Sequence, residues 1–455
     1  MPNAFFSDLL STITERGRTL LRLKSWPQDA AGRAGSLIDL CRALLSGRGE
    51  ASGVAIAAEV LARYRSLDAD GRRAFFIALA DEFGANHDRL AKALERWRAE
   101  PTDRNAAELH YSSEPRRLEL FRRLNRAPGG TQALVEMRAD LLEELRANSA
   151  LASVDKDFTH LFASWFNRGF LVLRRIDWST PASILERIIR YEAVHEIHDW
   201  DDLRRRIDPS DRRCYAFFHP ALIDEPLIFV EVALVEQIPG AIAPLLARDR
   251  TPTPAERARV AVFYSISNCQ QGLAGVTFGN FLIKQVVEEL RRELPRVETF
   301  VTLSPVPGFR SWLVKADDVP IEADARGAFE NLDDPAWTAD AEQAERLRKI
   351  LEPLAAHYFL KARRPDGRVV DPVARFHLGN GARLERIDWM GDLSRKGLKE
   401  SAGFMVNYLY DLDEIEKNHE AFANQGEVAA SAAVKRMLKG ERAIFGITAP
   451  SFAQG

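Results

Sequence analysis

The sequence predicts a multidomain protein with an all-helical N-terminal domain followed by an α/β domain that has a mixed central sheet. A chain of 455 residues exceeds the length that one hydrophobic core usually organises, so two domains are expected. From residue 9 to about residue 191, apolar residues recur at three- and four-residue spacing, which predicts helices. After residue 200, dense β-branched and aromatic runs predict strands. We therefore predict a helical domain at 1–189 and an α/β domain at 190–455.

Apolar stripes at helical spacing indicate the helices of the first domain. One stripe lies within residues 37–45, and another within 75–83 is followed by glycine and asparagine, which favour a helix end. Segments 134–145 and 158–173 repeat the pattern, and the last carries aromatic residues along its faces. Aromatic stripes of this kind are more often core or subunit contacts than a cofactor site, so we assign them to packing.

Strands and helices alternate in the second domain. Runs of β-branched and aromatic residues between turn residues predict strands at 214–219, 227–234, 258–266, 297–303 and 383–389. Amphipathic segments predict helices at 278–294, 342–358 and 429–438. The order strand, loop, helix, strand within this region is the unit from which parallel or mixed sheets are built.

Composition excludes several classes of protein. The 63 basic and 66 acidic residues nearly balance, and the net charge of -3 provides no overall field that attracts nucleic acid. Cys41, Cys214 and Cys269 are widely spaced, which argues against a disulfide framework or a zinc site and favours a reducing compartment. His195 and His198 are close in sequence but have no further ligands nearby, so we predict no metal site.

The sequence carries no membrane or secretory signal. No run of 18 apolar residues occurs, which argues against a membrane span. Residues 5–26 are amphipathic and carry arginines as a transit peptide does, but Asp8 and Glu15 are atypical of such peptides, so we interpret this segment as a domain helix. We therefore expect a cytoplasmic protein with no membrane partner and no nucleic-acid partner.

The strongest local signal spans residues 265–290, where a predicted strand leads through a glycine-containing turn into an amphipathic helix. Glycine allows close approach of the backbone, and free amides at a helix start favour an anion such as phosphate. The turn is neither a Walker loop nor a GxGxxG fingerprint. It resembles in part the Q/R-x-x-G-x-G/A loop of GNAT acetyltransferases, which binds coenzyme A, but Leu273 stands at the fourth position. An ordinary strand-to-helix turn is the alternative.

A second signal is LSPVPGF at residues 303–309, in which Ser304 ends a predicted strand and two prolines stiffen the exit. Ligands bind beyond the carboxyl ends of strands in open α/β sheets, so Ser304 is a candidate site residue. An ordinary turn serine is the alternative.

The third signal is DPVARFHLGNGARLERIDW at residues 371–389. His377 precedes the flexible sequence Gly379, Asn380 and Gly381, and a histidine before such a turn can act as a general acid. A half-buried histidine bonded to the backbone is the alternative.

Together with HPALIDEPLIFVEVAL at 219–234 and GFMVNYLYDL at 403–412, these segments resemble the malonyl-CoA decarboxylase family. The resemblance spans both domains and is densest from about 212 to 410, where FYSIS, QQGL, FLIK, LSPxPGF, PVAxFHLxNGA and VNYxY occur in the expected order. It implies a helical N-terminal domain that makes oligomer contacts and a catalytic α/β domain with a GNAT-like fold. It also implies a homo-oligomer, either a dimer or a tetramer.

The resemblance implies that Ser304 and His377 are the catalytic residues. It places an acyl-CoA-binding turn on residues 274–280 and further site positions on Ser265 and Tyr410. Thr277 stands where some relatives have a glutamate, so an acidic role is not carried over to it. The predicted substrate-binding residues are Ser265, Gln271, Gly272, Ala274, Gly275, Val276, Thr277, Phe278, Gly279, Asn280, Asn380 and Tyr410.

The implied activity is the conversion of malonyl-CoA to acetyl-CoA and CO2. The thioester accepts the electrons as an enolate, so no metal or organic cofactor is expected, and coenzyme A is part of the substrate. The protein has to orient the leaving carboxylate, stabilise the enolate oxygen and deliver a proton to carbon. Ser304 is expected to hydrogen-bond the malonyl group, and His377 to orient it and donate the proton.

Two alternatives stay open at this point. An acyl-CoA-dependent N-acyltransferase would share the fold and the coenzyme site, with Tyr410 as general acid. In a non-catalytic acyl-CoA-binding protein, Ser304 and His377 would be replaceable. A serine hydrolase is disfavoured because the sequence contains no GxSxG elbow.

Overall fold

The computed structural model describes residues 30–46, 50–254, 256–276, 282–315, 329 and 331–438. The chain forms two compact units. The first unit consists of Met1–Val172, Phe218–Leu227 and Gln270–Phe278. The second unit consists of Leu173–Phe217, Ile228–Cys269 and Gly279–Gly455. Residues 189 and 190, which flank the predicted boundary, both belong to the second unit.

The described part of the first unit contains eight α-helices. They are α1 Ala30–Leu45, α2 Glu50–Arg65, α3 Ala69–Glu82, α4 His87–Ala99, α5 Asp103–Ser113, α6 Arg116–Leu124, α7 Gly130–Glu144 and α8 Ala152–Trp165. Asp68, Asn86 and Thr102 cap α3, α4 and α5 by accepting from a backbone amide of the first turn. Such caps satisfy amides that lack a partner within the helix.

Aromatic side chains form much of the core of the first unit. The rings of Phe121 and Phe158 stack with centroids 4.1 Å apart, and Phe162 lies 5.6 Å from Phe158 and from Phe166. All four are buried, which confirms that most of the aromatic stripe is packing, whereas Phe170 is 53% exposed.

The second unit is built on an eight-stranded sheet. Its strands are β1 Val172–Ile176, β2 Arg212–Phe218, β3 Pro226–Val235, β4 Val260–Asn268, β5 Thr299–Thr302, β6 Ser304–Pro305, β7 Arg383–Asp388 and β8 Met405–Leu409. The order is β1-β2-β3-β4-β5-β8-β6, and β7 also pairs with β8. β4 pairs with β5 in parallel, whereas β3 with β4 and β8 with β5, β6 and β7 are antiparallel. The sheet is therefore mixed, and the predicted fold class is confirmed.

The helices of the second unit connect and flank these strands. They are α9 Ala182–Tyr191, α10 Trp200–Ile207, α11 Ala243–Leu246, α12 Leu282–Glu293, α13 Phe309–Lys315, α14 Ala341–Leu360, α15 Pro372–Gly379, α16 Arg395–Ser401, α17 Ile415–Gln425 and α18 Ala432–Met437. The predicted helices at 278–294, 342–358 and 429–438 correspond to α12, α14 and α18, and the start of the first lies outside the described residues. Over the described ranges, no helix is long and apolar enough to cross a membrane.

The strand predicted at 297–303 is interrupted in the structure. Leu303 separates β5 from β6, and its amide donates to the carbonyl of Phe263 on β4. β5 and β6 then pair separately with β8, a central strand that the sequence analysis did not predict. Ser304 thus begins β6 and lies opposite Val406. A buried apolar cluster fills the centre of this region and includes Ala233, Val260, Val262, Tyr264, Val301, Leu303 and Met405.

Candidate active site

Ser304 and His377 meet in the second unit although 73 residues separate them. The distance from Ser304 Oγ to His377 Nε2 is 3.1 Å, which is hydrogen-bond distance. Ser304 is 5% exposed and His377 is 2% exposed. The structure therefore brings together the two side chains that the sequence analysis selected as catalytic.

Thr302 and the pairing of β6 with β8 hold Ser304 in place. The Ser304 hydroxyl donates to Thr302 Oγ1 at 2.9 Å. Thr302 Oγ1 also accepts from the amide of Tyr408 at 3.1 Å, which ties β5 to β8 beside the site. The sequence analysis selected neither Thr302 nor Tyr408, because both have the ordinary pattern of strand residues.

Helix α15 carries His377 near its C-terminal end. Asp371 caps this helix, since its Oδ1 accepts from the amide of Ala374 at 2.7 Å and its Oδ2 accepts from the Tyr358 hydroxyl at 3.2 Å. Pro372 occupies the first turn, where its missing N–H costs nothing. The sequence analysis placed His377 before a turn without predicting a helix, and the Asp-Pro pair is the signal that indicates one.

Two tyrosines of the segment around β8 orient the imidazole. The His377 ring stacks on Tyr408 with centroids 4.6 Å apart, and its Nδ1 lies 2.8 Å from the Tyr410 hydroxyl. Since Ser304 donates to Thr302, it accepts from Nε2–H, so the Tyr410 hydroxyl donates to Nδ1. The result is one directed chain of hydrogen bonds from Tyr410 through His377 to Ser304 and Thr302.

Burial keeps this chain of hydrogen bonds uncharged. Desolvation lowers the pKa of His377 from 6.5 to about 3, and it raises the pKa of Tyr410 well above its usual value. At neutral pH the imidazole and the phenol are therefore both neutral. A change in charge at His377 requires a nearby anion that compensates for its burial.

Ser304 and His377 line one wall of a cavity of about 220 Å³ in the second unit. None of the described residues that line it carries a formal charge at neutral pH. The other lining residues are Val194, Phe263, Tyr264, Ile266, Asn268, Pro305, Pro372, Val373 and Phe376. A mostly apolar cavity with a few convergent polar groups suits the acyl end of a thioester.

Comparison with known families shows which family of enzymes has this sequence. Residues 169–445 match the family model described as the malonyl-CoA decarboxylase C-terminal domain, and residues 83–166 match the corresponding N-terminal domain. The chain belongs to the malonyl-CoA decarboxylase family. The predicted family and the predicted carboxy-lyase activity are confirmed.

Relatives and solved structures of this decarboxylase family agree over most of the chain. The mitochondrial malonyl-CoA decarboxylase of Anser anser anser is 37% identical over 414 residues, with 83% of this chain and 82% of that protein covered. The malonyl-CoA decarboxylase of Rhodopseudomonas palustris is 59% identical with a TM-score of 0.86, covering 90% of this chain and 100% of that one. The enzyme of Agrobacterium vitis is 56% identical with a TM-score of 0.84, covering 89% and 99%.

Ser265, which the resemblance implied as a site residue, does not line the cavity. Its hydroxyl lies 2.8 Å from both carboxylate oxygens of Glu192. Ser265 is buried, with 1% of its surface exposed. Glu192 Oε1 in turn accepts from the amides of Val194 and His195, each at 2.8 Å. Ser265 and Glu192 therefore fix the backbone at Val194, which does line the cavity. The sequence analysis did not select Glu192.

The described part of the acyl-CoA-binding turn that the decarboxylase resemblance implies belongs to the first unit. Its described residues follow β4 through a short 3-10 helix, Gln271–Leu273. Gly272 and Val276 are buried, whereas Gln271, Ala274 and Gly275 are exposed. Four predicted positions lie outside the described residues, namely Thr277, Phe278, Gly279 and Asn280.

Asn380 ends the helix that carries His377 and does not line the cavity. Its side-chain amide donates to the Phe376 carbonyl at 2.7 Å, and the residue is 5% exposed. Its observed contact is thus with α15.

No metal centre is formed by the part of the chain that the structure describes. No group of three or more His, Cys, Asp or Glu side chains is placed there to hold an ion. His195 is half-buried, and burial lowers its pKa to about 4, while His198 is exposed beside Glu196. The three cysteines are all described and buried, and none is in a disulfide.

Proposed function

We propose that the cavity beside Ser304 and His377 removes CO2 from malonyl-CoA and leaves acetyl-CoA. The observation that carries this proposal is the 3.1 Å contact between Ser304 Oγ and His377 Nε2 at the wall of an uncharged cavity. Family membership supplies the reaction, and the contact supplies two groups that can act on the malonyl end.

Decarboxylation of a malonyl thioester needs no added electron sink. When the bond between C2 and the carboxylate carbon breaks, its electron pair passes to the thioester as an enolate, and CO2 leaves. A new C–H bond then forms with one proton, so each turnover consumes a proton. We therefore propose that no metal or organic cofactor takes part and that coenzyme A enters only as part of the substrate.

The lining of the cavity favours departure of the carboxylate. Val194, Phe263, Ile266 and Phe376 contribute apolar side chains. A carboxylate against these side chains loses hydration, whereas CO2 is neutral and loses little. The bound carboxylate is therefore destabilised relative to the product.

Ser304 acts on the oxygen where negative charge develops. Its hydroxyl donates to Thr302 Oγ1 at 2.9 Å, and rotation of the hydroxyl redirects the same proton to the thioester oxygen of the substrate. A hydrogen bond that strengthens as the enolate forms lowers the barrier more than it strengthens ground-state binding. Thr302 keeps the hydroxyl satisfied while the cavity is empty.

His377 supplies the proton that C2 receives. Its pKa of about 3 leaves it neutral in the free protein. A malonyl carboxylate in the same cavity raises that pKa, because an opposite charge nearby favours the imidazolium, so a proton is taken up as substrate binds. The Tyr410 hydroxyl donates to Nδ1 of the neutral ring and accepts from Nδ1–H of the charged one.

We further propose that the turn after β4 binds the coenzyme A part of the substrate. The resemblance supports this, as does the exposed Gly275 at a φ of +75°. The residues assigned to the turn are Gln271, Gly272, Ala274, Gly275, Val276, Thr277, Phe278, Gly279 and Asn280. Ser265 and Asn380 are proposed to act through Glu192 and α15, with no direct contact to substrate.

No observation favours the two alternatives. In an N-acyltransferase Tyr410 would protonate the leaving thiolate, but it is 2% exposed, is bonded to His377 and does not line the cavity. A non-catalytic acyl-CoA-binding protein has no need for a buried polar pair that costs desolvation free energy.

Two properties of the whole protein belong to the same proposal. We propose a homo-oligomer, a dimer or tetramer, in which the helical unit makes the subunit contacts. Trp97 and Tyr111 are exposed on α4 and α5 and offer apolar surface for such contacts. The buried thiols are consistent with the cytoplasmic location that we propose.

Carbon dioxide release from purified protein tests the proposed reaction. We expect malonyl-CoA alone to yield equal amounts of acetyl-CoA and CO2, at the same rate with and without a chelator. An N-acyltransferase would give product only after an amine is added. Absence of CO2 release from protein that still binds coenzyme A would show a non-catalytic protein, and loss of activity with chelator would overturn the metal-free mechanism.

A further inference from the structure

Arg138 on α7 is a buried cation that binds the backbone of the proposed acyl-CoA turn. It is 3% exposed, and its Nη1 donates to the carbonyl of Gly272 at 2.7 Å and to the carbonyl of Ala274 at 2.9 Å. Both the arginine and these turn residues belong to the first unit. A side chain of the helical unit therefore contacts the turn directly.

The rest of the guanidinium is anchored to α8. Its Nε donates to Asp155 Oδ1 at 2.7 Å, and its Nη2 donates to Thr159 Oγ1 at 3.1 Å. The Asp155 carboxylate balances the charge, and the planar guanidinium has little freedom once these bonds are made. Arg138 thus holds the two turn carbonyls at fixed positions relative to two helices.

The backbone of the turn also lies directly against α7. A Cβ on Gly272 would lie 1.8 Å from the Val135 carbonyl oxygen, so only glycine allows this approach. Leu273 and Val276 are 3% and 7% exposed and anchor the turn on either side. The two carbonyl groups held by Arg138 are therefore part of a tightly packed contact.

These bonds determine where one amide of the turn points. In a trans peptide the C=O and the following N–H point in opposite directions. Because the Ala274 carbonyl points to Arg138, the Gly275 N–H points away from Arg138. Gly275 is exposed, and over the described residues its amide has no hydrogen-bond acceptor. Such an amide is available to an oxygen of a ligand.

We propose that Arg138 is a positioning residue for acyl-CoA binding. It fixes the orientation of the peptide between Ala274 and Gly275 and so presents the Gly275 amide to the ligand. The inference rests on the proposed function, because that proposal assigns the turn to coenzyme A. Without the guanidinium, the Gly272 and Ala274 carbonyls lose their donor, and the peptide between Ala274 and Gly275 is free to rotate. The helical unit then shapes the substrate turn besides making subunit contacts.

Steady-state kinetics of Arg138→Met and a matched control test this role. Arg117→Met is the control, because Arg117 is 5% exposed in the same unit and pairs with Asp157 but does not contact the turn. Each variant loses one ion pair between a buried arginine and a half-buried aspartate. We expect Arg138→Met to raise KM for malonyl-CoA and Kd for coenzyme A by roughly 10- to 100-fold, with a much smaller change in kcat at saturation.

Arg117→Met is expected to lower Tm by a similar amount and to leave KM within about twofold of the native protein. Arg138→Lys keeps the charge but loses the planar fork, so its KM should be intermediate. If Arg138→Met does not fold, Gly272→Ala takes its place, since the added Cβ displaces the turn from α7, and KM should rise again.

A native KM and Kd in Arg138→Met, or in Gly272→Ala if that variant replaces it, overturns the inference. An equal rise in KM in Arg117→Met also overturns it, because general destabilisation then explains the effect. Failure of the proposed function has a different outcome, in which the native protein itself releases no CO2 from malonyl-CoA. The two failures are therefore distinguishable.

Discussion

Burial determines the chemistry of the Ser304–His377 pair. Each side-chain polar atom in the series of hydrogen bonds from Tyr410 to Thr302 has a partner. None of these four side chains is charged in the free protein. A neutral, satisfied network avoids the cost of a buried ion, and its members strengthen one another in a low-dielectric site. We therefore expect His377 to respond to the charge of a bound substrate more than to the pH of the solvent.

Tyr410→Phe isolates the contribution of the hydroxyl at Nδ1. The variant keeps the ring but leaves Nδ1 without its partner in both protonation states, so we expect kcat to fall by roughly tenfold while the fold is retained. Tyr215→Phe is the matched control, because its hydroxyl bonds Glu293 at 3.2 Å and does not line the cavity. Equal rates in the two variants would show that Tyr410 has no part in orienting His377.

The sequence analysis selected Ser304, His377 and Tyr410 as candidate site residues, because each lies in a segment that resembles the family, but it did not predict the contacts among them. Thr302 and Tyr408 were missed because nothing in a strand pattern distinguishes a residue that holds a candidate site residue in place. Their role depends on the pairing of β5 and β6 with β8, which is a long-range property.

Helix α15 is the element on which the position of His377 depends. Asp371 is fully buried, caps the helix at Ala374 and accepts from Tyr358. The helix is only eight residues long, so it owes its stability to this cap and to packing more than to intrinsic propensity. Because His377 lies within two turns of Asp371, loss of the cap should displace the imidazole.

Asp371→Ala tests this dependence. The variant loses the cap and leaves the Tyr358 hydroxyl unpaired, so we expect the free energy of unfolding to fall by about 2 kcal/mol and kcat to fall with it. Asp68→Ala is the control, because Asp68 caps α3 in the first unit, and α3 carries no residue of the site or of the Asp371 cap. Urea unfolding and turnover at saturating malonyl-CoA are the measurements. A native kcat in Asp371→Ala would contradict the proposed link between the cap and the site.

The elements of the second unit were predictable where the pattern is local. Strands β2, β3, β4 and β7 fall close to the predicted positions because turn residues delimit them. The break between β5 and β6 was not predictable, since it arises when the Leu303 amide turns to Phe263 on β4. α15 was missed although Asp371 and Pro372 form a helix start, because the helix has only eight residues and ends at Gly379.

At the scale of the whole molecule, each of the two units consists of three separate segments of the chain. The fold class was predictable because helical and strand periods occupy separate halves of the sequence. The assignment of Phe218–Leu227 and Gln270–Phe278 to the first unit was not, since it depends on contacts such as that between Arg138 and Gly272. Sequence alone gave no reason to link the helical unit with the turn.

The central claim is that Ser304 and His377 act together on the malonyl group, and turnover of Ser304→Ala and His377→Asn tests it most directly. Ser401→Ala is the control, because the hydroxyl of this buried serine donates to the Gly397 carbonyl within α16 and does not line the cavity. We expect each site variant to lose roughly 100- to 1000-fold in kcat while coenzyme A binding and Tm stay close to those of the control. Native turnover in both site variants would contradict the claim.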